Sequence, residues 1–454
     1  MALDLLPTDV RRLCGGAVVL PDDDAYDAGR QAWNTTADQR PALIAYPADA
    51  REVAEVIAYA REAGLRVAPQ ATGHNALPLG DLSGTVLVRT AAMTEVRIDA
   101  ANRRARVGAG VLWDDVVCAA APHGLYPLHG SSPDVSVVGY SLGGGLGWLA
   151  RLHGLQANSV TAVELVTAAG EVVRADAEHH AELFWALRGG GGNFGIVTAL
   201  EFELYPVTEV YGGMLVWDAS RAHDVIATWT AWAQRAPDAV TTSLRVLALP
   251  DVDGLPEPLR GRHVVAVDGA IVAAAPEAAA VLAPLRRLAP ELDTFGMMPA
   301  AELVRLHGDP EEPMPATSSS ALLDGLDEAG ARAFADAALA AGARGIMSCE
   351  LRQLGGALGR PAPGAGALSH LDGAFALFAG SLTPEPAMIA PVLQAARGVI
   401  AAMAPWSSGR RYLNLTEEAV DARTAFDPET FERLRALQLE LDPDGLVRAN
   451  HSLA

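Results

Sequence analysis

The sequence contains no lysine: all 34 basic residues are arginine, against 55 acidic ones, for a net charge of −21. That absence removes whole classes of chemistry. A pyridoxal-phosphate enzyme needs a Schiff-base lysine, and a P-loop nucleotidase needs the lysine of its phosphate-binding loop. The acidic excess repels a phosphate backbone and an anionic bilayer, so neither nucleic acid nor a membrane is expected as a partner. Cysteine is scarce too. Cys14, Cys118 and Cys349 are odd in number and far apart, which fits neither a disulfide framework nor a CxxC metal site and points to buried thiols in a reducing compartment. Residues 1–20 carry Asp4, Asp9 and two arginines in place of a continuous apolar stretch, and no later run is long enough to span a bilayer. The expectation is a soluble, cytoplasmic protein.

What is present is a long, apolar chain. Its 454 residues, 50% hydrophobic, are enough for two or three domains. Asp49 and Glu52 form a capping-box pattern, and Val53, Val56, Ile57 and Ala60 make one helical stripe ending at Gly64. Short strands are expected at 65–68 and 85–89, on either side of the polar loop Gln70-Ala71-Thr72-Gly73-His74-Asn75. Residues 96–98 and 104–107 read as a hairpin, and 113–121 as a helix. Residues 137–147 hold Gly139, Gly143, Gly144, Gly145 and Gly147, too much glycine for a regular element, so something must approach that backbone closely. A strand at 159–167, a helix at 176–187 and a strand at 196–204 follow. After Pro206 the texture changes. Strands at 210–217, 241–249, 263–272, 346–354 and 374–380 alternate with helices near 222–234, 276–288 and 386–403, the pattern of an antiparallel sheet backed by helices.

Three glycine-containing strings bear on chemistry. Gly190-Gly191-Gly192-Asn193-Phe194-Gly195 satisfies GxGxxG, but it leaves a helix and enters a strand, the reverse of a dinucleotide fingerprint, and reads better as a tight turn. Gly139-Tyr140-Ser141-Leu142-Gly143 matches the GxSxG nucleophile elbow, with Asp442 and His451 following in hydrolase order. A serine hydrolase is therefore one alternative, although residues 143–147 would make a poor first helical turn. The third reading joins the glycine strings to His74: backbone amides of glycine-rich loops cradle a diphosphate without any cationic side chain. Taken alone, His74 also fits a loop histidine without a task.

Arg40-Pro41-Ala42-Leu43-Ile44, the loop ending at His74, Gly143-Gly144-Gly145-Leu146-Gly147-Trp148, Leu183-Phe184-Trp185-Ala186-Leu187-Arg188, residues 189–197, Tyr412-Leu413-Asn414 and the tail 441–450 together resemble the berberine-bridge-enzyme-like FAD-linked oxidases of the vanillyl-alcohol oxidase superfamily. The resemblance implies an α+β, two-domain FAD-binding fold of the p-cresol methylhydroxylase type. Its FAD domain would span 1–206 (core 36–206), an antiparallel-sheet substrate domain 207–405, and a C-terminal segment 406–454 would return to the first. It implies covalent FAD through His74. Many members add a cysteinyl link in a Gly-x-Cys-Pro stretch, but here the stretch is Gly130-Ser131-Ser132-Pro133, so a single bond is expected. Thr72, Gly73, Asn75, Ser132, Val135, Gly139, Tyr140, Gly143, Gly144, Gly145, Gly147, Trp148, Val197, Tyr412 and Asn414 would contact the cofactor, with Val135 where similar proteins gate oxygen access.

The implied activity is hydride transfer from a small-molecule substrate, such as an alcohol, a sugar or a secondary-metabolism intermediate, to the flavin, with dioxygen as the reoxidant. Cyclisation or oxygenation on the same fold is a further alternative. Many members carry a tyrosine base in Tyr-x-Asn-Tyr, whereas this sequence reads Tyr412-Leu413-Asn414-Leu415. Glu350 is the substitute. Period-two alternation puts Ser348, Glu350 and Arg352 on one strand face, opposite Met347, Cys349 and Leu351. If that face meets the cofactor, Glu350 can act as the base; a solvent-facing Glu–Arg pair is the plain alternative. Tyr140 and Tyr412 stand in reserve.

Overall fold

The computed structural model describes residues 10–252 and 259–453. The expectation that no leader precedes the fold rests in part on residues 1–9, outside that range. No helix among the described residues is long and apolar enough to cross a membrane.

The first half builds two sheets. One runs in the order Val18–Val19, Leu43–Ala45, Thr85–Arg89, Arg66–Gln70, and its last three strands are parallel. The helix Ala50–Glu62 makes the crossover between Leu43–Ala45 and Arg66–Gln70; Asp49 caps it by accepting from Glu52 N, while the Glu52 carboxylate accepts from Ala48 N. The second sheet is antiparallel, in the order Val96–Asp99, Arg104–Gly108, Ile196–Glu203, Val160–Val166, Val172–Asp176. Its first two strands are the expected hairpin. The side chains of both sheets share one apolar core with Phe431, Leu434 and Val447 from the C-terminal segment.

The second half builds an antiparallel sheet in the order Leu292–Asp293, Glu209–Asp218, His263–Ile271, Val240–Ala248, Ser348–Gln353, Phe375–Leu382, Ala316–Leu323, with Gly296–Pro299 also pairing on Glu209–Asp218. Leu244, Val246, Val267, Cys349 and Leu351 face a core shared with the helices Ala222–Ala233, Ala275–Arg286, Glu328–Gly342 and Pro386–Ala402. Because side chains alternate along a strand, the opposite face receives Ser243, Arg245, Asp268, Glu350 and Arg352. Register clusters them: Arg245 lies opposite Glu350, and Ser243 lies between Asp268 and Arg352.

Several sequence expectations change. Residues 176–187 are not one helix: the strand Val172–Asp176 comes first, Asp176 accepts from Glu178 N and His179 N to form a turn, and the helix is Ala181–Leu187. Residues 137–142, expected to be irregular, form a short helix, Val137–Leu142, because Val137, Val138 and Leu142 bury into the first core and Ser136 caps its start. The serine-hydrolase alternative fails on this geometry, since Ser141 lies late in that helix and not at a strand-to-helix elbow. Asp442 is occupied as well, accepting from Leu446 N and Val447 N at 2.8 Å each, and His451 Nε2 meets the Thr416 carbonyl at 3.0 Å. The strand Ala316–Leu323 and the helices Glu328–Gly342 and Pro428–Leu441 were missed, the strand because its Thr-Ser-Ser-Ser run hides any hydrophobic period.

The two Asp442 bonds pin the tail whose Arg448 N and Leu446 O pair with Val67. Asp442→Ala is expected to lower stability by about 2–4 kcal/mol, read as a lower urea midpoint with an unchanged m-value.

Candidate functional site

A cavity of about 520 Å³ lies between the two halves of the chain. One side is loop and helix end from the first half; the other is the polar face of the long sheet. On the first side, Thr72, Gly73, His74 and Asn75 line it with Trp33. Gly73 has φ +87, and a Cβ there would meet the Ala32 Cβ and Gln70 Nε2 at 2.8 Å, so the turn that presents His74 requires glycine. The His74 ring stacks on Trp33 with centroids 4.2 Å apart, and Thr72 Oγ1 lies 2.8 Å from Nδ1.

Ser132, Val135, Gly139, Tyr140, Gly143 and Val197 also reach the wall, as do Tyr412 and Asn414. At Gly143 a Cβ would sit 1.8 Å from Asn414 Oδ1, so only glycine admits the Asn414 side chain, which donates to the Tyr140 carbonyl at 2.9 Å. Gly144, Gly145, Gly147 and Trp148, expected to contact a cofactor, stand behind the wall. Gly144 and Gly145 pack against Tyr412 and Tyr140, Gly147 against the His129 carbonyl, and Trp148 against the His307 ring. Ser132 and Ser131 both donate to Asp309 Oδ2, at 2.9 and 3.0 Å.

Sequence reasoning passed over the far end of the cavity. Gly189–Gly192, Asn193 and Gly195 line it together with Arg448, Asn450 and His451. The string that reads as a tight turn, and in the third reading as part of a diphosphate cradle, is a wall of the cavity. Asn193 ties the two segments by donating to the Gly190 and His451 carbonyls.

On the sheet side Glu350 is 7% exposed and faces the cavity, which removes the solvent-facing alternative. Its Oε1 accepts from Ser243 Oγ and Arg352 Nε, both at 2.7 Å. Met347, expected on the opposite face, also lines the cavity because it precedes the regular strand Ser348–Gln353. His307 was not foreseen. Its Nδ1 lies 2.8 Å from Asp268 Oδ2, which also holds Arg245 at 2.6 Å, and its Nε2 lies 3.7 Å from Glu350. Burial alone would raise the Glu350 carboxyl; the Arg352 and His307 charges outweigh it and hold the group well below the ordinary range. Burial and Arg245 oppose a charge on His307, yet Asp268, Asp309 and Glu350 together raise it to about 9.

Burial drives both tyrosine phenols upward, Tyr140 well above its usual value, so neither ionises near neutrality. The Tyr412 oxygen already accepts from Gly145 N at 2.8 Å. Leu415 lies on the wall, so a phenol at that position is replaced by an aliphatic surface. Glu417, another residue the sequence did not flag, also lines the cavity and accepts from Ser318 Oγ at 2.7 Å. Burial raises it to about 7.

The site can be tested for a flavin nucleotide. Asn75 Oδ1 and Tyr140 Oη on the wall and Ser141 Oγ beside it are buried polar atoms without protein partners. The wall is glycine-rich from Gly139 to Gly143 and from Gly189 to Gly195, and the cavity runs from the charged sheet face to the C-terminal segment. These residues fit FAD.

An FAD binding domain family matches residues 41–176. The chain is 28% identical to 6-hydroxy-D-nicotine oxidase from Arthrobacter nicotinovorans, with a TM-score of 0.85 over 96% of this chain and 97% of that one. Residues 41–176 thus match an FAD binding domain, and over nearly its whole length the chain is similar to an FAD-linked oxidase. In sequence, the chain is 37% identical to (R)-6-hydroxynicotine oxidase of Paenarthrobacter nicotinovorans over 206 residues, 45% of each chain. It is 32% identical to the FAD-linked oxidoreductase YvdP of Bacillus subtilis (strain 168) over 225 residues, 48% of this chain and 49% of that protein. The chain thus spans about half the length of the curated relatives it matches. The BBE-like 1 protein of Physcomitrella patens, 19% identical with a TM-score of 0.85 over 97% of both chains, shares the fold.

Glu417 makes stability depend on pH. Its folded value lies above the ordinary 4.5, so the folded chain keeps a proton that the unfolded chain releases. Stability from this group is therefore lost as pH rises from about 4.5 to about 7. Glu417→Gln is expected to stabilise the protein at pH 8 by on the order of 2 kcal/mol, with no gain at pH 4.5, measured by urea unfolding at both values.

Proposed function

We propose that this protein is an FAD-dependent oxidase of secondary metabolism that carries its flavin covalently through His74 alone and oxidises a small organic molecule. One observation carries the reading: a single cavity joins the His74 loop and the glycine wall of the FAD-binding half to a buried, charged sheet face bearing Glu350. When bound, FAD supplies the two-electron acceptor for hydride, and dioxygen takes those electrons onward.

Each side chain then has a task. His74, stacked on Trp33, tethers the cofactor, while Ser132, already donating to Asp309, offers no thiol for a second link. Val135 leaves room for dioxygen beside the wall. Tyr140, Tyr412 and Asn414 hold the cofactor-facing backbone in place as neutral hydrogen-bonding and packing groups. Glu350 stays ionised beside Arg352, accepts the hydrogen bond of a substrate O–H or N–H, and draws off that proton as hydride leaves the adjacent carbon. His307, fixed by Asp268, supports Glu350 from behind. Leu146, Phe378, Leu382 and Leu415 give the substrate an apolar wall, which suits a small, partly apolar molecule such as an alcohol or amine. Cys14, Cys118 and Cys349 are all unpaired thiols, the first and last buried and Cys118 exposed against expectation, which favours work in the reducing cytoplasm.

The purified protein is expected to be yellow and to keep its colour on the polypeptide after acid denaturation; His74→Ala should release it, and a colourless wild type would end the assignment. With any alcohol, amine or sugar that reduces the wild-type flavin, Glu350→Gln should slow anaerobic reduction by about 100-fold with colour intact. An unchanged rate would remove Glu350 from the chemistry.

A further inference from the structure

Beside the His74 ring lies Asp134. It comes from a segment 60 positions along the chain, and Trp33 ties it in place by donating its indole N–H to Asp134 Oδ2. The same indole stacks on His74 at an interplanar angle of 17°. Trp33 is itself fixed by backbone bonds, donating from N to the Thr72 carbonyl at 2.8 Å and accepting from Met314 N at 3.0 Å. The remaining carboxylate oxygen, Asp134 Oδ1, sits 3.6 Å from His74 Nε2. Both of those atoms are buried, and neither has a hydrogen-bond partner. Two orphaned buried atoms of complementary type, face to face, need only a small ring rotation to pair.

We propose that Asp134 is a positioning residue for flavin attachment: it takes the Nε2 proton of His74 in a hydrogen bond, fixing the tautomer whose lone pair is on Nδ1, so that Nδ1 forms the bond. This rests on the covalent reading of His74 above. A neutral imidazole carries one N–H and one lone pair, and the partner of one nitrogen decides the state of the other. Thr72 Oγ1 is 2.8 Å from Nδ1 and donates to that lone pair until the flavin displaces it.

Nδ1 bonds to the carbon of a flavin ring methyl group, and that carbon loses one hydrogen as a proton. The imidazole becomes cationic with Nε2–H directed at the Asp134 carboxylate, which stabilises the charge and then relays the surplus proton. The two electrons of the broken C–H bond stay on the flavin, which ends reduced, and dioxygen removes them and takes up the methyl and Nε2 protons to leave as hydrogen peroxide.

Asp134→Asn is the informative variant because it is nearly isosteric. Its amide oxygen can still accept from Trp33, but its NH₂ then faces Nε2 and forces the His74 proton onto Nδ1, the wrong tautomer. In purified holoprotein the ratio of acid-stable to total flavin should fall at least tenfold while total bound flavin holds. In the wild type, proteolysis and NMR of the flavinyl peptide should locate the bond at Nδ1. An undiminished covalent fraction in Asp134→Asn, or a bond at Nε2, overturns the proposal while leaving the tether intact. The linkage measurement decides the matter even if the variant fails to fold. A wild type with bound but acid-released flavin overturns the tether itself, and this inference with it.

Discussion

The site depends on burying a row of ionised side chains against a cavity, which is possible because each charge has a neighbour of opposite sign. Arg245, Asp268, Glu350 and Arg352 on the polar sheet face, with His307 beside them, pair charges of opposite sign, and Asp268 is wholly buried. Isolated, any one of them would cost several kcal/mol in lost hydration. Together they offset that cost and keep Glu350 ionised in the free site. Antiparallel register makes the array, since it sets Arg245 beside Glu350 and Ser243 between Asp268 and Arg352. The opposite face of the same strands is aliphatic and packs on four helices, which prevents the charged row from shifting out of register.

The facing wall solves a different problem. With no lysine anywhere in the chain, an anionic dinucleotide has to be met largely by backbone. Close approach replaces charge, and it demands missing Cβ atoms: Asn414 presses on Gly143, and Ala32 presses on Gly73. The C-terminal segment completes the wall. Asp442 turns the chain, Arg448 N and Leu446 O pair with Val67, and Asn193 holds His451 to the glycine turn at Gly190. A tail that reads as a signature in the sequence is thus a physical closure of the cavity.

Motif-bearing parts were legible from the sequence because their chemistry is local. The capping box at Asp49, the loop ending in His74, the hairpin after Val96 and the strand alternation around Glu350 each depend on neighbours a few positions away, and the structure places them as the periodicities require. Local pattern also misled. The glycines of 137–147 hid a short helix held by core burial of Val137 and Leu142, and the polar run Thr317-Ser318-Ser319-Ser320 hid the edge strand that pairs with Phe375–Leu382. In both cases tertiary burial overrode propensity.

By itself the sequence determined the catalogue of chemistry: lysine-dependent catalysis is absent, glycine-rich wall segments and a presented His74 are there, and a polar strand face carries Glu350. Only the tertiary structure decided which charges meet. Asp268 and His307 are 39 residues apart, Trp33 and Asp134 are 101 apart, and Ser318 and Glu417 are 99 apart. Such pairs leave no period or spacing in the chain, because they exist only once separate segments fold against one cavity. Whether a carboxyl group is ionised, protonated or aimed at a ring nitrogen is set by those neighbours and by lost water, not by residue type.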